Sequence, residues 1–402
     1  MAAGRQRHQV DISSTIPSDL TLRYVTKRFL SVFATRDEDC KGRIRPISPD
    51  PTMRGPFERD YQRILYSDAF KRLKRKTQVF YAPENDHICT RSDHTLQVAS
   101  IAETICIELS LNIDLARAIA NGHDLGHAPF GHTGEEALNE LCVEKGLGTF
   151  MHEANSLRVV DKMKELHGDT LNLTYEVRDG IVCHCGEEHE QAITPQREKD
   201  VTLVDADAAR VQRPYTLEGC VVRYADRIAY LAADLQDALE LRIIRKKDMP
   251  SNVRMHLGRD TGQIIGKVMK DIIGESLGND YIATSGRIFD SLEELYQFSA
   301  ERIYHSGVIM QVKEAAKDKI RKLFDEFLQA FNNTDRASDR TLTRRYQRRC
   351  HQEFFKFVKM TNYGYSESPE QIVLDYISRM TDNFVNHCYE DIFQTRTPIR
   401  FN

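Results

Sequence analysis

Between Leu217 and Leu241, the residues Leu217, Val221, Tyr224, Ile228, Leu231, Leu235 and Leu239 recur in steps of three or four. That spacing draws one apolar stripe along a helix of 3.6 residues per turn, and it cannot be laid on a strand, whose faces alternate every second residue. The same period runs through Thr95–Leu111, Leu115–Asp124, Gly134–Lys145 and Asn155–Leu166. It returns over Ser291–Tyr304, Val312–Phe331, Thr343–Lys359 and Pro369–Phe393. Strand signals are confined to Thr77–Tyr81 and Val201–Val204. The expected fold class is all-α with minor β content.

Hydrophobic residues make up 41% and charged residues 29% of the 402, which supplies a core and excludes a disordered or fibrous chain. Pro46, Pro49, Pro51 and Pro56 break up the beginning, so residues 1–56 are expected to be irregular. A helical core is expected over 57–245 and a helical C-terminal lobe packed on it over 246–402, with the Gly/Asp-rich stretch Gly258–Ser285 as the junction. No apolar run nears the ~20 residues of a membrane helix, and MAAGRQRHQVDISS lacks the apolar core of a signal peptide. Nine cysteines without regular spacing fit reduced thiols, hence a cytoplasmic protein. A net charge of −4 excludes a polycation built to coat nucleic acid.

Histidine is unevenly placed. An even spread of 14 over 402 residues puts about one in any stretch of 30, yet His123, His127, His132 and His152 fall together. Imidazole is the commonest transition-metal ligand and titrates nearest neutral pH, so the cluster suggests a metal site with proton-transfer groups. Its centre is Asn121-Gly-His-Asp-Leu-Gly-His-Ala-Pro-Phe-Gly-His132, where Gly122, Gly126, Gly131 and Pro129 end a helix and let His123 and Asp124 reach one ion. His94, opening one helix, and Asp226, on the long one, would complete a set of two imidazoles and two carboxylates. Such a set suits Mg, Mn, Fe, Co or Ni and not a soft thiophilic ion.

His94, His123-Asp124 and Asp226 resemble the metal ligands of the HD superfamily of phosphohydrolases. The resemblance narrows further. Phe57–Phe80, His123–Leu138, Pro214–Leu239 and Asp375-Tyr-Ile-Ser-Arg-Met-Thr-Asp382 are similar, in that order, to signatures of dGTP triphosphohydrolase-like enzymes. It implies an HD-domain core, a divalent metal, and a deoxynucleoside triphosphate substrate split into deoxynucleoside and intact triphosphate. By the same resemblance, His132 and Glu135 match an acid/base pair, with His132 as the donor to the departing 5′ oxygen. His127 and His152 match positions near the phosphates or a water behind them, although relatives differ at 127. Arg91 and Arg227 match basic residues at the phosphates, Gln78 and Val79 a segment bordering sugar and base, and Tyr304 a pocket tyrosine. The chain departs from many relatives at Cys89, where they carry arginine. Homo-oligomers, tetramers or hexamers, with a regulatory dNTP at a subunit interface, are likewise implied only by resemblance.

Spacing adds a pocket. Asp226, Tyr230 and Asp234 stand at i, i+4 and i+8, along one helix face over roughly 12 Å. A phosphate near Asp226 would put a sugar near Tyr230 and Asp234, the ring covering the carbon that lacks a 2′-hydroxyl and the carboxylate accepting from the 3′-hydroxyl. A merely amphipathic helix shows the same pattern. Cys183-His-Cys185, followed by His189, tempts a zinc assignment, but no second cysteine pair lies at finger distance and a buried helix end is expected. The basic runs Lys71–Lys76 and Arg344–Arg349 leave open a solvated face, an interface nucleotide or single-stranded nucleic acid. The alternatives to a dNTP triphosphohydrolase are another HD phosphohydrolase, a nucleotidase or alarmone hydrolase, and a nucleotide-sensing HD module.

Overall fold

A computed structural model describes residues 29–48, 54–81, 85–164, 168–186, 189–203, 209, 212–333, 346, 348–363 and 366–393. Among them run fifteen α-helices. The first seven are α1 (Pro56–Tyr66), α2 (Asp68–Arg72), α3 (Arg91–Glu108), α4 (Ile113–Gly122), α5 (His132–Lys145), α6 (His152–Asp161) and α7 (Tyr175–Val182). Then come α8 (Leu217–Glu240), α9 (Ser251–His256), α10 (Thr261–Ser276) and α11 (Gly286–Ser299). The last four are α12 (Gly307–Asn332), α13 (Arg349–Thr361), α14 (Pro369–Ser378) and α15 (Asp382–Phe393). The one sheet among the described residues pairs β1 (Ala192–Ile193) with β2 (Ile282–Ala283), antiparallel, Ala192 opposite Ala283. The chain is all-α with minor β content.

Helix α8 is the axis. It is buried nearly all round, which is why its stripe of leucine, valine and isoleucine is joined by interior Ala225, Ala229 and Ala232, small enough to let neighbours approach. Helices α3, α4, α10 and α11 pack against it. Its Thr216 N-cap oxygen accepts from Gly219 N at 3.0 Å, which satisfies an amide the helix itself cannot. A second apolar cluster joins Leu138 and Leu141 of α5 to Phe324 and Phe327 of α12, Phe354 of α13 and Ile377 of α14.

Several sequence expectations change. Thr77–Tyr81 is not a strand beyond a single bridge between Thr77 and Thr90. Its backbone groups are taken by side chains instead: Asp382 accepts from Thr77 N, and Arg91 donates to the Thr77 and Gln78 carbonyls. Val201–Leu203 is a 3₁₀ turn, nucleated by Asp200, which accepts from both the amide and the hydroxyl of Thr202; Val204 lies outside the described residues. The stretch Gly258–Ser285 holds helix α10 and is no mere junction, because Asp260 caps the helix and Ile264, Val268 and Ile272 bury one face. Pro369–Phe393 is two helices, since Thr381 accepts from Phe384 N and starts a new one. Ser291–Tyr304 begins earlier, at Gly286, and closes in a π-helical turn over Ala300–Tyr304. Helix α6 ends at Asp161, and Leu166 lies outside the described residues, as do residues 343–345 and 347.

The C-terminal helices are tied to the middle of the chain by two buried polar side chains. Lys76, 1% exposed, donates to the Ser378 carbonyl at 2.8 Å and to the His127 carbonyl. Burial, with Arg72 nearby, holds its ammonium well below the usual range. Asp382 accepts from Thr77 N and from Phe130 N, each at 2.8 Å. Asp382→Ala strands both amides in the interior, so we expect a loss of about 2 kcal/mol or more in urea unfolding. An unchanged unfolding midpoint would show that water replaces the carboxylate.

Candidate active site

Helix α4 stops at Gly122, and the segment after it is clamped from α6. Ser156 Oγ donates to the His123 carbonyl at 2.7 Å and accepts from Gly126 N at 2.9 Å, while Asn155 donates to the Gly126 carbonyl at 2.6 Å. A Cβ on Gly126 would lie 2.1 Å from Ser156 N, so only glycine permits this approach. Phe130 and Gly131 both take φ of 61°, which swings the chain into α5 with His132 at its first turn.

Four donors converge there. His94 Nε2 lies 2.8 Å from Asp226 Oδ1 and 4.0 Å from Asp124 Oδ2, and His123 Nε2 lies 3.6 Å from Asp124 Oδ2 and 3.7 Å from Asp226 Oδ1. All four residues are buried. His123 Nδ1 meets the Ala120 carbonyl at 2.6 Å, which makes Nδ1 the protonated nitrogen and leaves Nε2, buried and without a partner, as a lone pair. An orphaned imidazole nitrogen facing two carboxylates fits a divalent cation of the harder sort. Burial would raise the Asp226 carboxyl, but His94 and His123 outweigh it and hold it at about 2. Asp124 is likewise held well below the carboxylate range, Arg91 Nη1 standing 2.7 Å from Oδ2 against the effect of burial.

Beside this quartet stands a cluster of imidazoles. Glu135 accepts from two of them: His132 Nδ1 is 3.1 Å from Oε2, and His152 Nδ1 is 3.1 Å from Oε1. Burial alone would raise the Glu135 carboxyl, yet His152 and His132 hold it below its ordinary range. Burial opposes a charge on His152, but Glu153 and Glu135 lift its pKa well above the usual value. His127 stacks on His152 with ring centres 4.6 Å apart, and burial, with Arg91 nearby, keeps it neutral.

A cavity of about 610 Å³ opens over these groups. Gln78, Val79, Arg91, His94, Asp124, His132, His152, Asp226, Arg227, Tyr230, Asp234 and Tyr304 all line it. His123, His127 and Glu135 are not among the lining residues. Arg91 is largely engaged already, by Asp124 and two carbonyls, and Arg227 pairs with Glu293. Tyr304 donates to Asp234 Oδ2 at 2.7 Å, while Asp234 Oδ1, buried, has no partner. Burial pushes Asp234 up to about 6 against that hydrogen bond. Cys89, the departure from relatives, gives its backbone amide to Asp237 at 3.0 Å.

His184 and Cys185 also line the cavity, and sequence reasoning set both aside. The expected buried helix end is there, since α7 closes at Val182 and Cys183 is wholly buried. The next two residues nonetheless turn toward the histidines, His184 lying 4.8 Å from the His123 ring and 5.4 Å from the His152 ring. The signal was present in Cys-His-Cys itself. Of the two basic runs, Lys76 is interior whereas Lys74 and Arg75 are exposed, and residues 344, 345 and 347 lie outside the described residues. Among the described residues no helix is long and apolar enough to cross a membrane.

Comparison with known proteins matches residues 91–231 to the HD domain and residues 282–391 to the phosphohydrolase-associated domain. A protein of Caldanaerobacter subterraneus subsp. tengcongensis is 37% identical over 91% of this chain and 93% of its own length. One of Desulfatibacillum aliphaticivorans is 39% identical over 91% and 95%, and one of Clostridium tetani 36% identical over 89% and 91%. All three carry the name deoxyguanosinetriphosphate triphosphohydrolase-like protein.

Proposed function

The chain belongs to the deoxyguanosinetriphosphate triphosphohydrolase-like family of HD-domain hydrolases, and from that premise we propose that it splits deoxynucleoside triphosphates into deoxynucleoside and intact triphosphate. One observation carries the reading: along one face of α8, Asp226 belongs to the cation-fitting quartet while Tyr230 and Asp234 line the same cavity farther on. We read these as a phosphate end and a sugar end, eight helical residues or roughly 12 Å apart along the helix axis.

His94, His123, Asp124 and Asp226 would hold the divalent ion. What such an ion supplies when bound is polarisation of a phosphoryl oxygen and a lowered pKa for water. Arg91 and Arg227 offset phosphate charge from the cavity wall. Water attacks the α-phosphorus as the bond to the 5′ oxygen breaks, and His132 gives that oxygen its proton. Glu135 orients the His132 ring through Nδ1, and His152, gripped by the same carboxylate, keeps Glu135 ionised. His127 acts by packing, since it stands behind His152. Gln78 and Val79 border the sugar and base. Asp234, its Oδ2 taken by Tyr304, offers Oδ1 to the 3′-hydroxyl.

A homo-oligomer, tetrameric or hexameric by family analogy and with a regulatory dNTP between subunits, belongs to the same proposal, as does a cytoplasmic location beside the dNTP pool. The test is an incubation with each dNTP, NTP and dNMP plus Mg²⁺ or Mn²⁺, with products resolved. Intact triphosphate supports the proposal. Orthophosphate or pyrophosphate would make the chain another kind of HD phosphohydrolase, and tight binding without turnover a nucleotide sensor.

Sugar choice gives a sharper result. If the Tyr230 ring covers the 2′ face, Tyr230→Ala should narrow the ratio of dNTP to NTP turnover by about tenfold or more. Should the ratio of kcat/KM values stay at the wild-type level, discrimination lies with another residue.

A further inference from the structure

We propose that His152, His184 and Cys185 form a second metal site, containing sulfur, beside the quartet and open to the same cavity. Their ligand atoms all lie within 4.8 Å of one another, with Cys185 Sγ 4.0 Å from His152 Nε2. Tetrahedral bonds of about 2.3 Å to sulfur and about 2.0 Å to nitrogen would bring such atoms to about 3.5 Å apart. The closure needed is a few tenths of an ångström at the known distance, within the reach of side-chain rotation.

Both imidazoles are oriented as metal ligands are. His152 Nδ1 is held by Glu135 at 3.1 Å, and His184 Nδ1 by the Ile181 carbonyl at 2.6 Å. Each ring therefore has its Nδ1 tied to a carboxylate or carbonyl oxygen, the arrangement that fixes the orientation of a ligating histidine, while His152 Nε2 faces Cys185 Sγ and His184 Nε2 has no partner. His184 Nε2 is the independent sign of a missing ligand. It is buried, in a residue 1% exposed, and has no partner.

The donor set distinguishes this site from its neighbour. His184 also lies within 4.8 Å of the His123 and Asp226 donors, so the two sites meet at this ring. The quartet offers only nitrogen and oxygen and suits a harder ion. Two imidazoles with one thiolate suit a borderline ion of the Zn²⁺ type. Three protein donors leave a fourth position, which faces the cavity these residues line. An anion there, a phosphate or a carboxylate, would complete the coordination. On binding, the Cys185 thiol and the Nε2–H of His152 each give a proton to solvent as the sulfur–metal and nitrogen–metal bonds form, while His152 Nδ1–H stays on Glu135.

The test uses the full chain, stripped with a chelator and titrated with Co²⁺ alone. The expected result is two ions per chain, with near-ultraviolet thiolate-to-cobalt absorption. Cys185→Ser should lower the count from two to one and abolish the absorption. Cys183→Ser should keep both, because Cys183 Sγ faces Asp179 at 3.8 Å and Lys199 at 3.5 Å, away from the histidines. Cys185→Asp guards against a misfolded serine variant: it should bind two ions without the absorption. One ion in the wild type without sulfur absorption, or absorption that survives in Cys185→Ser, overturns the proposal. Metal counting is independent of dNTP turnover, so failure of the substrate reading leaves this test standing.

Discussion

Asp226→Ala should release the ion held by the quartet and lower dNTP turnover by more than about 10³-fold, with the helical signal intact. Loss of an ion removes several kcal/mol of charge stabilisation at the transition state, and each 1.36 kcal/mol is tenfold in rate. Asp226 is a better probe than Asp124. Asp124 is also paired with Arg91 at 2.7 Å, so its removal leaves a buried guanidinium without its counter-ion and mixes folding with chemistry. Asp226 faces His94 at 2.8 Å, an imidazole and not a permanently charged guanidinium. Metal content by elemental analysis, helical circular dichroism and product-resolved turnover make the three readouts. Wild-type activity in the metal-depleted variant would detach catalysis from the quartet.

The helical part of this architecture was legible because it rests on local periodicity. Leu217–Leu241 was read to within one residue of α8, since an apolar stripe that long admits no other geometry. Where side chains replace backbone partners, periodicity misleads. Thr77–Tyr81 carries strand-like residues, but its hydrogen bonds go to Asp382 and Arg91, and nothing near Thr77 in the chain announces a partner more than three hundred residues away. The site divides in the same way. His123-Asp124 and the helix face of Asp226, Tyr230 and Asp234 follow from spacing. His94 follows from the need for a second imidazole to close the donor set, whereas Tyr304 comes only by resemblance, because its position depends on how the π turn packs on α8. The sharing of Glu135 between His132 and His152 crosses seventeen residues of sequence and a helix-to-helix turn, so no local pattern foretells it. His184 was passed over because Cys-His-Cys was judged by cysteine spacing, while its relevance lies in the burial of one imidazole between two others.

Removing the His132 ring should lower kcat by about 10²–10⁴-fold, the usual worth of general-acid catalysis, with metal content unchanged. The departing 5′ oxygen is an alkoxide unless it receives a proton, so the donor must stand in the cavity and be able to turn toward it. His132 does both: its side chain is 68% exposed and lines the cavity, with Nδ1 held 3.1 Å from Glu135 so that the other nitrogen is left for substrate. Burial opposes a charge on His152 while Glu153 and Glu135 lift its pKa, but its ring is enclosed, with Nδ1 on Glu135 and Nε2 beside Cys185. Glu135→Gln tests the arrangement from the other side. An amide offers one oxygen where the carboxylate offered two, and its NH₂ would confront one of the two ring N–H groups, so both rings lose their common anchor. A loss of about 10- to 100-fold is expected, smaller than that of His132→Ala because the acid itself remains. The pH–rate curve should move with it. Without the Glu135 charge, the proton on His152 is less favoured, and the basic limb of the profile should shift toward lower pH. Should His132→Ala turn over normally, or lose activity only in step with its metal, the proton comes from another group, and His152 is the one whose geometry would then have to supply it.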